Sequence, residues 1–154
     1  MPLEIERKYL VSGSGWKEHA SAPVRLCQKY VPLGAELKGV IRIRIAGETA
    51  FLTLKTPQKD CVRGEYEYEI PVKDAEELMS QFCPGGAVDK LRYRVEHKGK
   101  IWEVDEFLGC YSGLILAEIE LERADESFSV PEWIGTEVSG DFHYSNSYLA
   151  EHAK

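Results

Sequence analysis

The chain begins with alternating charged and apolar side chains between residues 3 and 11. If this stretch is a β-strand, Glu4, Glu6 and Lys8 share one face, because successive side chains point to opposite faces of a strand. Carboxylates on one face repel each other unless something compensates them, and the usual compensator is a divalent cation. The opening stretch therefore predicts a strand that presents oxygen ligands to a metal ion.

Acidic side chains alternate in the same way in three later stretches of the chain. Carboxylate oxygens are hard ligands of the kind that Mg²⁺ and Mn²⁺ prefer. The full set of candidate metal ligands is Glu4, Glu6, Glu65, Glu67, Asp105, Glu118 and Glu120. The same faces carry Glu69, Glu103 and Glu122, and for these the sequence leaves a metal role and a place at the end of the strand equally open.

Basic side chains are gathered on other strands, where they also alternate with apolar ones. Guanidinium groups bind phosphate oxygens in pairs, and lysines act as point charges. The candidate anion-binding residues are Lys8, Arg42, Arg44, Lys55, Lys90 and Arg92. Arg7 is expected to point outward and to take no part. Cations for phosphate together with carboxylates for a metal indicate metal-assisted phosphoryl chemistry.

Eight strands are predicted to position these side chains, at residues 3–11, 24–32, 39–46, 49–56, 61–72, 88–97, 100–107 and 114–122. Asp74 is predicted to cap a helix of about nine residues, and residues 146–153 are predicted to form a short closing helix. Residues 123–129 are expected to hold a helical turn and residues 131–133 a loop. Short connections favour antiparallel pairing of neighbouring strands.

The charged faces are compatible with two architectures. A solvated sheet with cross-strand ion pairs is one of them. The other is an α+β fold, an eight-stranded antiparallel closed β-barrel, in which the charged faces line a lumen and helices pack outside. A barrel of eight strands is just wide enough for a small ligand. Because each strand carries mostly one sign of charge, the pattern slightly favours the barrel.

Length and composition limit the classes of protein to which the chain can belong. The 154 residues fit one domain, 1–154. The net charge of −7 argues against non-specific binding to nucleic acid or to an anionic membrane. The four cysteines are widely spaced without a C-x-x-C pair, which fits a reducing, cytoplasmic location. No membrane-length apolar run appears. The sequence leaves the oligomeric state open, with a homodimer as one option.

Taken together, these motifs resemble those of a known family, the CYTH superfamily or triphosphate tunnel metalloenzymes. The motifs that carry the resemblance are Glu4-Ile5-Glu6-Arg7-Lys8, Arg42-Ile43-Arg44, Thr53-Leu54-Lys55, Glu65-Tyr66-Glu67, Lys90-Leu91-Arg92-Tyr93, Glu103-Val104-Asp105 and Glu118-Ile119-Glu120. The resemblance implies an eight-stranded tunnel that binds a triphosphate and one or two divalent cations, Mg²⁺ or Mn²⁺. His143 departs from the family, which usually has a basic residue there, and Ser145 stands where some members carry a lysine.

Among the members of this family, the chain looks most like the single-domain bacterial inorganic triphosphatases. That likeness implies metal-dependent hydrolysis of tripolyphosphate to pyrophosphate and phosphate. We expect a metal-oriented water to attack a terminal phosphorus. Lys90 is one candidate for the base, if its neighbours Arg92 and Arg44 lower its pKa, and water activated by the cation is the other. Tyr30 is a candidate to orient the Lys90 amine or the water.

Three other functions stay open from the sequence. The first is related chemistry, either a class IV adenylate cyclase or a thiamine or nucleoside triphosphatase, and its products would distinguish it. The second is a non-catalytic module that binds polyphosphate or a nucleotide. The many carboxylates argue against this module, because a simple anion binder gains nothing from negative charge in its site. The third is a barrel whose charged face is merely solvated.

Overall fold

A computed structural model describes all of residues 1–154. The chain forms nine strands and two α-helices. The strands are β1 (Leu3–Val11), β2 (Val24–Tyr30), β3 (Val40–Ala46), β4 (Thr49–Lys55), β5 (Val62–Ile70), β6 (Val88–His97), β7 (Lys100–Phe107), β8 (Ile115–Glu120) and β9 (Ile134–Glu137). The helices are α1 (Val72–Phe82) and α2 (Asn146–Glu151), and three short 3₁₀ turns lie between the elements.

Eight of the strands close into an antiparallel barrel. Hydrogen-bonded neighbours follow the order β5-β4-β3-β2-β6-β7-β8-β1, and β1 also pairs with β5, which closes the ring. This closing contact is short, with Leu3 to Ile5 of β1 opposite Val62 to Gly64 of β5. The predicted eight-stranded closed barrel is confirmed, and the charged faces therefore line an interior.

The ninth strand was not predicted, because residues 134–137 are too few to show a clear alternation. β9 pairs with the second half of β1, with Tyr9 opposite Glu137 and Val11 opposite Ile134. In this half β1 has no partner from β5, and an unpaired strand edge leaves backbone donors and acceptors unsatisfied. Residues 134–137 therefore pair with the edge of β1 although they have little strand character of their own.

The helix that follows β5 begins earlier than predicted. α1 starts at Val72 after Pro71, and no side chain caps it, so the prediction that Asp74 caps the helix is wrong. Asp74 lies in the first helical turn, where a negative charge is favourable. Consequently β5 ends at Ile70. The predicted helical turn at residues 123–129 is reduced to one hydrogen-bonded turn, in which the Glu126 amide donates to the Arg123 carbonyl, and residues 126–129 have no regular structure.

The apolar outer faces of the barrel are covered in two places. α1 packs Ala75 and Met79 against Ile43 and Ala50 of β3 and β4. On the opposite side the outward residues of β1, β6, β7 and β8 form a larger core around the fully buried Trp102. The β6–β7 hairpin is tight, with positive φ at both Lys98 and Gly99, as a type I′ turn requires.

The second helix packs against one end of the barrel. Leu149 and Ala150 of α2 pack against Val88, Phe107 and Leu116, whose side chains share the inward faces of their strands. α2 thus places its first residues beside the lumen, a position that the sequence pattern did not reveal. Neither helix has the length and apolar character needed to cross a bilayer.

Candidate active site

The strand registers direct nearly all of the predicted charged side chains into the barrel. Arg42 lies opposite Thr53, which in turn lies opposite Glu67, and Arg92 lies opposite Asp105. Directly opposed residues of antiparallel strands point to the same face. An inner cavity of about 210 Å³ results, lined by Glu4, Glu6, Arg42, Arg44, Lys55, Glu65, Glu67, Arg92, Glu103, Glu118, Glu120 and Asn146.

This inner cavity has no hydrophobic lining residue. Its walls carry four cationic and seven acidic side chains, so carboxylates outnumber cations where a ligand would sit. The cavity is also smaller than the ~300–1,000 Å³ that is usual for organic ligands of drug size. Its chemistry suits a small, highly charged ligand.

Arg42 is the most deeply buried of the cations in the inner cavity, with 5% of its surface exposed. One terminal nitrogen donates to Glu67 at 3.3 Å and to Thr53 at 3.4 Å. Its buried Nε has no hydrogen-bond partner. A buried donor without a partner costs about 1–3 kcal/mol, so this nitrogen is well suited to an acceptor supplied by a ligand.

Lys55 joins two strands of the barrel across the closing contact. Its Nζ lies 2.8 Å from Glu4 Oε2 of β1 and 3.3 Å from Glu65 Oε2 of β5. Both carboxylates were predicted to bind a metal, and in this structure both are ion-paired with a lysine. A cation bound by Glu4 or Glu65 would therefore compete with Lys55.

Asp105 is engaged by two basic residues, which argues against its predicted role as a metal ligand. Its two oxygens accept from Arg92 at 2.8 and 2.9 Å, and Oδ2 lies 2.7 Å from Lys90 Nζ. Burial alone would raise its pKa, but Arg92 and Lys90 hold the pKa of Asp105 well below its usual range. Two parallel hydrogen bonds therefore hold the Arg92 guanidinium against Asp105.

Lys90 is fully buried and lines neither cavity of the site. Its Nζ donates to Asn146 Oδ1 at 2.9 Å in addition to its contact with Asp105. Burial, reinforced by Arg92 and Arg44, lowers the pKa of Lys90 to about 7, while Asp105 opposes the shift. The pKa suits a base, yet the amine is engaged by protein groups. No hydrogen bond joins the amine to Tyr30, whose hydroxyl accepts one from Gln28.

The carboxylates of β1 and β8 face one another, with Glu6 opposite Glu120. Burial, together with Glu118 and Glu4, raises the pKa of Glu6 well above its usual value. Burial and the neighbouring carboxylates also raise the pKa of Glu120. Glu118 differs: burial would raise its pKa, but Lys8 and Arg92 lower it to about 2.

These crowded hard-oxygen donors fit a divalent cation, which would relieve their mutual repulsion. No three acidic, histidine or cysteine groups are arranged as a complete metal site as they stand. Several of the carboxylates instead hold a lysine or an arginine. The residues present thus match a metal in their chemistry, and the protein's own cations occupy part of their coordinating capacity.

A wider cavity of about 540 Å³, the mouth, continues outward from the inner one and shares Glu6, Arg42, Lys55 and Asn146 with it. Lys8 lies here rather than in the inner cavity, and its Nζ donates to the Tyr144 carbonyl at 3.0 Å. The mouth is also lined by Tyr30, Lys38, Arg63 and Phe142, among others.

His143 does not line either cavity. Its ring nitrogen Nδ1 lies 2.7 Å from Asp141 Oδ1, and the ring stacks on Phe142 with a centroid distance of 4.2 Å. His143 therefore supports the loop beside the mouth and makes no direct contribution to the lining.

Two lining residues, Asn146 and Arg63, and the buried Gln28 were not among the predicted site residues. Asn146 reaches the lumen only because α2 folds over the barrel end. Arg63 faces inward because it lies opposite Glu4. Gln28 is completely buried between Arg44 and Tyr30. The position of Gln28 on the same face of its strand as Tyr30 was the one signal available, and a neutral side chain did not stand out among charged ones.

Comparison with known proteins agrees with this geometry. The CYTH domain family matches residues 2–151. An inorganic triphosphatase from Acetivibrio thermocellus is 42% identical over 151 residues, which are 98% of this chain and 95% of that protein. One from Nitrosomonas europaea is 37% identical over 150 residues, 96% of each chain. The crystal structure of an inorganic triphosphatase has a TM-score of 0.67 and 36% identity, covering 97% of this chain and 95% of that one. The chain belongs to the CYTH domain family.

Proposed function

We propose that this protein is a divalent-metal-dependent triphosphatase that hydrolyses inorganic tripolyphosphate to pyrophosphate and phosphate. The observation that carries the proposal is the lining of the inner cavity, which has four cations, seven carboxylates and no apolar side chain. Such a lining offers neither a nucleobase nor a thiamine ring a surface on which to pack. The similar proteins from Acetivibrio thermocellus and Nitrosomonas europaea are both named inorganic triphosphatases.

The excess of carboxylates supports the metal. A triphosphate carries several negative charges and would be repelled by this cavity unless positive charge came with it. Glu4, Glu6, Glu118 and Glu120 are the residues that we propose to hold Mg²⁺ or Mn²⁺, with Glu65 and Glu67 on the facing wall. When bound, the cation would supply charge to the phosphate oxygens and orient the attacking water.

The phosphate chain would be held by Arg42, Arg44, Lys55 and Arg92 inside the barrel, and by Lys8 at the mouth. The Nε of Arg42 provides a buried hydrogen-bond donor that no protein group satisfies. Asp105 holds Arg92 by two parallel hydrogen bonds, so that guanidinium is fixed before the substrate arrives. Fixed charges of this kind stabilise charge that develops during phosphoryl transfer.

The contacts of Lys90 do not favour its predicted role as the base. Its amine lies behind the cavity wall, where it holds Asp105 and Asn146. We therefore propose that Lys90 acts mainly by positioning these groups. A Lys90→Ala variant that keeps full turnover would remove Lys90 as the base. A loss of turnover that Lys90→Arg restores would support positioning, because arginine cannot serve as a base at neutral pH.

A second candidate is hydrolysis or cyclisation of an organic triphosphate. The mouth has four hydrophobic lining residues, and Phe142, which is 64% exposed, could stack against a base or a thiamine ring. In that arrangement the phosphates would enter the inner cavity and the organic group would remain at the mouth.

Product analysis decides between these functions. Phosphate release would be measured from tripolyphosphate, ATP and thiamine triphosphate, each with Mg²⁺, with Mn²⁺ and with EDTA. Strong metal-dependent release from tripolyphosphate alone supports our proposal, whereas pyrophosphate with cyclic AMP from ATP would indicate a cyclase. Binding without turnover of any substrate would make the protein a binding module.

A matched pair of variants tests the metal site in the same assay. Glu120→Gln removes a lining carboxylate, and Glu122→Gln makes the same change on an exposed residue two positions later. We expect Glu120→Gln to require more Mg²⁺ for half-maximal activity and Glu122→Gln to match the wild type. Equal metal dependence in both variants would contradict the proposed site.

The location and partners of the protein follow as part of this proposal. All four cysteines are free thiols, which suits the reducing cytoplasm. The partner would be a small triphosphate, and no nucleic acid is expected at a net charge of −7.

A further inference from the structure

Gln28 is a neutral, completely buried side chain inside a barrel whose other polar side chains are mostly charged. Its amide bridges two residues of the site. Arg44 Nε donates to Gln28 Oε1 at 2.8 Å, and Gln28 Nε2 donates to the Tyr30 hydroxyl at 2.8 Å. Arg44 lines the inner cavity and Tyr30 the mouth, so Gln28 connects the two.

The orientation of the amide is fixed by its neighbours. An arginine side chain only donates hydrogen bonds, so the amide oxygen must face Arg44. The amide nitrogen then faces Tyr30, and the phenolic oxygen must accept. Because this oxygen accepts from Gln28, the hydroxyl proton of Tyr30 is directed away from Gln28 and is available at the mouth.

Arg44 also differs from the other cations that line the inner cavity. Arg42, Lys55 and Arg92 each form an ion pair with at least one carboxylate. Arg44 has no ion pair, and its hydrogen-bond partner on the protein is the neutral Gln28. Burial, with Arg42 and Arg92 nearby, lowers the pKa of Arg44 to about 10, so the guanidinium remains charged at neutral pH. No protein carboxylate therefore pairs directly with Arg44, and Asp105 acts on its charge only from a distance.

We propose that Gln28 is a positioning residue that holds Arg44 without neutralising it and directs the Tyr30 hydroxyl proton toward the bound phosphate chain. This inference rests on the proposed function, because it requires an anionic substrate in the two cavities. It assigns to Gln28 a role in substrate affinity, and to Tyr30 that of a hydrogen-bond donor to phosphate instead of a partner of Lys90.

Gln28→Glu tests this role, because it keeps the shape of the side chain and the acceptor for Arg44. The carboxylate would neutralise Arg44, and it would also accept the hydroxyl proton of Tyr30 and so turn it away from the substrate. We expect KM for tripolyphosphate to rise about tenfold or more, as for the loss of one hydrogen bond to a charged group. Gln81→Glu makes the same change on the exposed surface of α1 and should leave KM unaltered.

Tyr30→Phe tests the role of the Tyr30 hydroxyl separately from that of Gln28. It preserves the Gln28–Arg44 hydrogen bond and removes only the hydroxyl, so KM should rise even if Gln28→Glu fails to fold. In the double variant, Tyr30→Phe should add little to Gln28→Glu, because the carboxylate at position 28 already accepts the Tyr30 proton and turns it away from the substrate. Wild-type KM in Gln28→Glu or in Tyr30→Phe, or effects that multiply fully in the double variant, would overturn the inference.

Equilibrium binding distinguishes a failure of this inference from a failure of the proposed function. The probe is the imido analogue of tripolyphosphate, whose P–N–P bridges resist hydrolysis, measured by calorimetry with Mg²⁺. A wild type that binds the analogue but does not hydrolyse tripolyphosphate would end the proposed function, and the Kd values of the variants would still test Gln28. Equal Kd values in the wild type and Gln28→Glu would overturn the role of Gln28 alone.

Discussion

Arg42 and Arg44 stand two residues apart on β3 and point into the same lumen, yet their surroundings differ. Arg42 contacts Glu67 and Thr53, while Arg44 is held by Gln28. The sequence predicted the same phosphate contact for both. Their neighbours decide how much of each charge is left for a ligand, and these neighbours come from strands that are distant in sequence.

Arg42→Lys should weaken substrate binding although the charge is retained. A lysine lacks the planar set of donors, so the bond that we expect Arg42 Nε to make with phosphate is lost. We expect KM for tripolyphosphate to rise about tenfold, the equivalent of ~1.4 kcal/mol. Arg25→Lys is the control, because Arg25 is an exposed residue of the neighbouring strand that pairs with Asp89. A similar KM for Arg42→Lys and the wild type would rule out this contact.

Glu6→Gln should stabilise the protein at neutral pH in the absence of metal. The folded pKa of Glu6 is raised above its usual 4.5 by burial and by Glu118 and Glu4. Between the unfolded and folded pKa values the folded state binds more protons, so stability is lost as pH rises through this window. Glu6→Gln removes the ionisable carboxyl and therefore this loss of stability.

Thermal unfolding in EDTA measures this effect. We expect Glu6→Gln to exceed the wild-type Tm at pH 7 by about 2–4 °C, the shift that 1 kcal/mol gives at this size, and to match it near pH 4. Glu76→Gln on the exposed side of α1 is the control for the charge change itself. A gain in Tm that is the same at both pH values would show that the carboxyl repulsion is not its cause.

At the scale of one element, β1 shows how alternation separates structural from functional charges. Arg7 points outward and pairs with Glu137 of β9 through contacts of 2.6 and 2.8 Å. Its neighbour Lys8 points inward to the mouth, where its charge lowers the pKa of Glu118. The outward position predicted for Arg7 is in agreement with the structure.

Arg7→Gln and Lys8→Gln form a matched pair on this strand. We expect Arg7→Gln to leave KM within twofold of the wild type and to cost less than ~1 kcal/mol of stability, because its ion pair is partly exposed. Lys8→Gln removes a cation from the mouth and should raise KM about tenfold. Steady-state kinetics and thermal unfolding measure both effects, and equal KM values for the two variants would contradict the assigned faces.

At the scale of the whole molecule, two contacts convert a sheet into a closed site. The short pairing of β1 with β5 closes the ring, and α2 covers one end of it. α2 also supplies Asn146, which binds Lys90 and reaches the inner cavity. α1, in contrast, packs only on the outside of the barrel.

Leu149→Ala and Met79→Ala should therefore have similar costs in stability and different effects on activity. Each truncates a buried side chain, Leu149 in α2 and Met79 in α1, and each should cost about 2–5 kcal/mol. We expect Leu149→Ala also to raise KM or lower kcat, because α2 positions Asn146. Met79→Ala should affect Tm alone. Kinetics measured well below both Tm values make the comparison, and unchanged kinetics in Leu149→Ala would separate α2 from the site.

Much of the fold was predictable because a strand alternates with a period of two residues, and that period is visible within a few positions. It identified eight strands and the face of each charged residue. The start of α1 was missed because Pro71 precedes the helix and no capping side chain marks it. β9 was missed because its pairing depends on the free edge of β1, which no local pattern records.

By itself the sequence determined which charges face inward, since alternation is a local property of each strand. Only the tertiary structure decided what each inward charge does, because partners across the barrel are set by register and closure between distant segments. Asp105 holds Arg92 and Lys90 rather than standing free for a metal, and Lys90 lies behind the cavity wall. Gln28 lies between Arg44 and Tyr30 because β2 pairs with β3 and because the closed barrel buries the Gln28 side chain.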